Sequence, residues 1–220
     1  MKKIVSLALA GVMMLSLAAC GNGKPAETNA PETTAPIETT VVPETTVAPE
    51  TTAPEAETQA PAASAGAVAI LENIWNLYGE DEKFAVIGGN MESPVDGAPG
   101  NYDMAYAENL TWNLLVPEDQ IANVAEAATM IHMMNANTFT SGVVRLAEGT
   151  DAEAFAQVMR DAIQNNQWMC GFPETLTIAV IDGEYVLIAF GVNDAMTPFK
   201  ARFHAAYADE EFLFDEAIEG

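Results

Sequence analysis

Residues 175–191 read TLTIAVI, then DG, then EYVLIAFG, and their reading decides the fold. Asp182-Gly183 between two β-branched, apolar runs is the strongest short signal for a two-residue hairpin, because both central positions of a type I′ turn need positive φ. Alternation along the two runs is weak, since Ile, Val, Leu and Ala stand at both parities. They are therefore expected to be central strands, covered on one side by helices.

Working outward, residues 127–134 and 138–147 form a second pair of apolar runs, separated by Asn135-Ala136-Asn137, and predict another antiparallel hairpin. Thr150-Asp151-Ala152-Glu153 matches a capping box. It opens a helix lined by Ala154, Phe155, Val158, Met159, Ala162 and Ile163, ending near Asn165-Asn166. Downstream, Pro198 is assigned to the first turn of a last helix with Met196, Phe199, Phe203, Ala206 and Tyr207 on one face. The order strand, strand, helix, strand, strand, helix makes an antiparallel sheet with helices on one face, an α+β two-layer domain.

Upstream lies a helical N-terminal extension. Ala67, Ile70, Leu71, Ile74, Trp75 and Tyr78 fall on an amphipathic stripe that Gly79 stops. Residues 84–87 predict a short strand, 90–101 a loop rich in turn residues, 102–115 a short helix, and Pro117-Glu118-Asp119-Gln120 the first turn of another. The folded domain thus covers residues 65–220, with its core at about 115–207 and an acidic tail at 208–220. Phe212, Leu213 and Phe214 within that tail either dock, fray or carry self-association.

The chain has 220 residues and a formal net charge of −24. Residues 65–220 alone carry 25 acidic side chains against Lys83, Arg145, Arg160, Lys200 and Arg202. So acidic a domain repels phosphate backbones, which excludes nucleic acid as a partner. Residues 21–64 are Pro, Thr, Glu and Ala with Pro-Glu-Thr-Thr recurring and no aromatic side chain, the composition of an extended stalk with too little apolar area to offset ordering entropy.

Before the stalk, Lys2 and Lys3, an apolar run and the small residues Ala18 and Ala19 lead to Cys20, the pattern of a secretory signal peptide over residues 1–19. Leu17-Ala18-Ala19-Cys20 resembles a bacterial lipobox, and that resemblance implies cleavage before Cys20 and diacylglyceryl attachment to its sulfur. A diacylglyceryl group supplies the two chains that stable anchoring takes. The chain would then be held at the extracytoplasmic face of the cell membrane through the lipid on Cys20, with residues 20–64 as lipidated cysteine and stalk.

Beyond the stalk, Met133-Met134-Asn135, Val143-Val144-Arg145-Leu146 and Asp182-Gly183-Glu184-Tyr185-Val186-Leu187 stand around a capped helix, and over residues 115–205 the chain resembles a family of Gram-positive lipoproteins of unknown function. These are core patterns, so the resemblance transfers no site residue.

Chemistry-bearing residues are few. On a strand, Met130, His132 and Met134 share one face, and two thioethers with an imidazole suit reduced copper. The competing reading makes the methionines core filler, and no cofactor is implied. Cys170, among Trp168, Met169 and Phe172, is expected to be buried and inert. His204, in the last helix beside Arg202 and Phe203, is expected to be a surface or boundary residue. No nucleophile elbow, zinc helix or phosphate loop is present. The sequence thus favours a non-catalytic binding or accessory domain for a cell-envelope protein or glycan, with an acid-dependent extracytoplasmic hydrolase as the alternative.

Overall fold

A computed structural model describes residues 66–134 and 138–219. The leader, Cys20, the stalk and the 135–137 turn lie outside the described residues. The elements are α1 (Ala67–Trp75), β1 (Val86–Gly88), β2 (Val95–Asp96), β3 (Gly100–Asn101), α2 (Leu110–Asn113), β4 (Val124–His132), β5 (Phe139–Leu146), α3 (Ala152–Gln164), β6 (Thr175–Ile181), β7 (Tyr185–Gly191), α4 (Asn193–Ala206) and β8 (Phe212–Ala217). Short 3-10 helices at Met104–Asn109 and Glu118–Asn123 replace longer helical turns.

The fold is α+β with one antiparallel sheet in the order β2-β1-β4-β5-β7-β6-β8, and β3 lies beside β4 in line with β1. Both expected hairpins form. Asp182 and Gly183 take φ of 51° and 73°, the left-handed pair that the tight turn demands. The hairpins join through β5 and β7, paired from Phe139↔Gly191 to Arg145↔Tyr185.

Helices cover both faces, which corrects the one-sided layering expected from the sequence. Tyr185, Leu187 and Ala189 of β7 pack with α1 and α4, while Val186, Ile188 and Phe190 pack with α3 and the segment around Leu110 and Leu114. Weak alternation is what a strand buried on both faces shows, because neither parity needs to be polar. On the second face, a side chain at Gly142 would meet Leu114 Cδ2 at 2.4 Å, so β5 is bare there to admit the α2 connection.

Several local readings shift. Asp151, not Thr150, caps α3, accepting the Ala154 N–H at 3.0 Å. The helix consequently buries Ala152 and Ala156 rather than Ala154. Pro198 stands inside α4, one turn beyond the expected first turn. The 90–101 loop contains β2 and β3 and is pinned by Thr129, whose hydroxyl donates to Gly89 O at 2.6 Å. The N-terminus of α1 has no cap of its own. Glu126 on β4 serves instead, accepting the Ala67 N–H at 2.7 Å and the Arg145 Nε at 3.1 Å.

The acidic tail docks. β8 pairs with β6, and a bulge between Phe214 and Phe212 leaves Leu213 extra and exposed. One inserted residue reverses the parity, so Phe212 reaches the α4 face and Phe214 the α3 face. Both aromatics are thereby used within the chain. Arg160 and Gln164 of α3 fix the strand further by binding Glu216.

Gly88 is the least replaceable glycine of the edge, because a Cβ there would lie 2.1 Å from Gly100 N and 2.5 Å from Ala98 O, both backbone. Gly88→Ala is expected to lower stability by about 1–3 kcal/mol in urea unfolding, as overpacking does, with β2 and β3 losing amide-exchange protection first.

Candidate functional site

Register brings four strand ends together. His132 closes β4, Phe139 opens β5, Gly191 closes β7 and Thr175 opens β6, with Phe139↔Gly191 and Thr175↔Gly191 directly paired. At this end lies a cleft of about 240 Å³ lined by Trp112, Asn113, His132, Met134, Trp168 and Cys170, among others.

Several hydrophobes on the segments that carry the lining residues are exposed. Trp112 is 83% exposed, Met169 86% and Phe172 66%, and Met133 and Met134 are each more than half exposed. Isolated exposed hydrophobes are ordinary, but several at one end of a sheet around a cleft mark an interaction surface. Trp112 is held outward by α2, which closes on Leu115 in the left-handed region at φ 61°, while Val116 N–H donates back to Leu110 O at 3.2 Å. Leucine rarely adopts that conformation, and Leu115 lines the same cleft. Trp168 is partly buried against Phe190 at 5.5 Å, its indole N–H shielded and without a partner.

His132 forms the wall between this cleft and a second cavity of about 330 Å³ lined by Tyr78, Glu82, Phe84, Asp194 and Pro198. Its ring stacks on Phe84 at 5.1 Å, and its Nδ1 accepts the Met134 N–H at 2.9 Å. Burial lowers its pKa. In the second cavity Arg202 bonds Glu82 at 2.7 Å and lies 4.0 Å over the Tyr78 ring, tying the loop after α1 to α4. Hydrogen bonding to Arg202 and to the Gly79 amide holds the Glu82 carboxyl below its ordinary range. That is the ionised state, opposite to what a general acid needs.

The sequence candidates separate. Met130 is fully buried in the α1–α4 core, His132 lines both cavities, and Met134 lies beyond the strand end on the rim. An Nδ1 that accepts a backbone N–H leaves the ring proton on Nε2, whereas a ligating histidine donates through its second nitrogen. Among the described residues no group of three or more His, Cys, Asp or Glu is placed to hold a metal ion. Cys170 is exposed rather than buried, which corrects the expectation of an apolar enclosure. Gly171 takes φ 79°, and of the 167–172 segment Trp168 and Cys170 line the cleft while Met169 and Phe172 are exposed. Cys170 and His132 share the cleft, yet no hydrogen bond joins them. His204 is exposed on α4, at the surface as expected, and packs edge-on to Phe212 at 4.8 Å.

Sequence reasoning missed Trp112, which had been absorbed into a mixed helix. The available signal was Trp168 to Phe172, whose five residues follow neither period and carry Gly171 before Pro173. Comparison with protein-family models, curated proteins and solved structures finds no match.

Two measurements check this geometry. Since the His132 pKa lies below its ordinary 6.5, the unfolded chain takes up the proton first as pH falls. Stability is therefore expected to decline from pH 6.5 down to the lowered value and to level off below it. His132→Asn, whose side-chain carbonyl can still accept from Met134, should remove that slope in urea unfolding. Cys170 is expected to react with a colorimetric thiol reagent in the native protein as fast as in urea.

Proposed function

We propose that the chain is an extracytoplasmic lipoprotein, one of the Gram-positive lipoproteins of unknown function that its sequence resembles, whose folded domain docks a component of the cell envelope through the aromatic and methionine end of its sheet. The lipid on Cys20 is the anchor and the 21–64 segment the spacer. Among the described residues no helix is long and apolar enough to cross a membrane.

The observation that carries the binding reading is the exposure of Trp112, Met169 and Phe172 around the cleft. Its position supports the tether as well. Gly66, where the described chain begins, touches Glu126 near the start of β4, while the cleft lies at the His132 end of that strand. A domain tethered at one end of its sheet leaves the opposite end free to meet a partner.

Cys20→Ser is expected to move the protein from the sedimented membrane to the soluble fraction. The chain from residue 20 carrying Cys20→Ser, immobilised and exposed to detergent-solubilised envelope, should retain a component that Trp112→Ala releases. A central aromatic anchor contributes about 2 kcal/mol or more, roughly thirtyfold in affinity. Equal retention by the variant would remove the cleft end from the binding reading.

A further inference from the structure

The class of partner follows from how the charges are spent. All five lysine and arginine side chains among the described residues are engaged by carboxylates: Lys83 by Glu80, Arg145 by Glu126, Arg160 by Glu216, Lys200 by Asp215 and Arg202 by Glu82. No cation is left to attract an anionic polymer or an anionic lipid, and the remaining carboxylates greatly outnumber the pairs. Among the described residues no carboxylate lines the cleft itself, but acids stand beyond its Asn113 wall. Glu92 and Glu108 are close enough to Tyr102 to push its hydroxyl up, after burial, to about 12, and Tyr102 accepts a hydrogen bond from Asn113 of the cleft wall at 3.1 Å. Asp194 lines the neighbouring cavity, of which His132 is also a wall.

We propose that the cleft end is a receptor for a basic amphipathic polypeptide segment, which lays apolar side chains over Trp112, Trp168 and the rim methionines and meets the surrounding carboxylates with lysine or arginine. The inference rests on the binding reading above and names its partner class. Unbranched methionines reshape to fit apolar side chains of differing form, and an amphipathic helix in an apolar groove is a recurrent mode of peptide recognition. Other occupants fit less well. The chain's own stalk has seven glutamates against Lys24 and no aromatic residue, so it brings like charge and no anchor. A second copy brings the same acidic surface. A neutral glycan brings no positive charge to meet the acidic domain.

The test uses the chain from residue 20 with Cys20→Ser and two designed helical peptides without tryptophan, one of leucine and lysine, the other of leucine and glutamate. The leucine–lysine peptide is expected to shift tryptophan emission to the blue saturably, with one peptide per chain, and to bind at least about tenfold more weakly when added salt screens the rim. Trp112→Ala with Met169→Ala should weaken it by at least about tenfold with an unchanged far-ultraviolet circular dichroism spectrum. Glu92→Gln with Glu108→Gln should weaken it and flatten the salt dependence. Equal binding of both peptides, or lysine-peptide binding indifferent to the Trp112 and Met169 changes, would overturn the proposal. If envelope capture depends on Trp112 while the lysine peptide does not bind, the partner class falls and the binding reading stands; if neither depends on Trp112, both fall.

Discussion

The pairing of β5 with β7 is the constraint from which the rest of the architecture follows. All seven residues of β7 and seven of eight in β5 are buried, so neither strand can offer its backbone polar groups to water. Each must have a strand on both sides and a layer on both faces. β4 and β6 supply the first requirement, α1 with α4 and α3 with the Leu110–Leu114 segment the second. Breaking the join would separate the two hairpins, and an isolated hairpin is marginal in water.

Much of this was legible because it rests on local chemistry. Asp182-Gly183 can hardly do anything but turn, and the α1 stripe from Ala67 to Tyr78 is buried residue for residue. Where the sequence misled, a distant residue had decided the outcome. The cap on α1 is a carboxylate 59 positions away, and nothing around Gly66 announces Glu126. The opposite parities of Phe212 and Phe214 depend on a bulge against β6, which no period within the tail reveals. The second helical layer was written in β6 and β7 as apolar residues at both parities, and the error lay in covering only one of them. The cleft was the least legible part. It forms where register stacks the ends of four strands, so Trp112 and Cys170 meet although their sequence surroundings are unrelated.

Polarity along the sheet is the consequence that bears on function. At the Glu126 end the ladder is sealed: Glu126 ties α1, β4 and β5 together through the Ala67 amide and Arg145. At the His132 end sealing is by ring contacts, Phe84 stacked on His132 and Trp168 tilted against Phe190, and the hydrophobes beyond them remain uncovered. Hydrogen-bonded ions fix one geometry, whereas stacked rings and methionines tolerate several. The domain therefore has a rigid end where the described residues begin and an adaptable end away from it.

An exposed tryptophan beside exposed methionines and a phenylalanine is ordinarily an aggregation liability. Here the liability is offset by the charge that surrounds it. With every described lysine and arginine paired to a carboxylate, two copies approaching cleft to cleft each bring net negative charge, and their repulsion acts over about 8–10 Å at moderate salt. Apolar contact between copies needs the surfaces to close well inside that distance. Repulsion thus acts before attraction can, and the same field that keeps copies apart draws in a basic segment. The extreme acidity of the domain and the uncovered cleft are then one arrangement: the charge permits the patch to stay open in water and selects what is allowed to cover it.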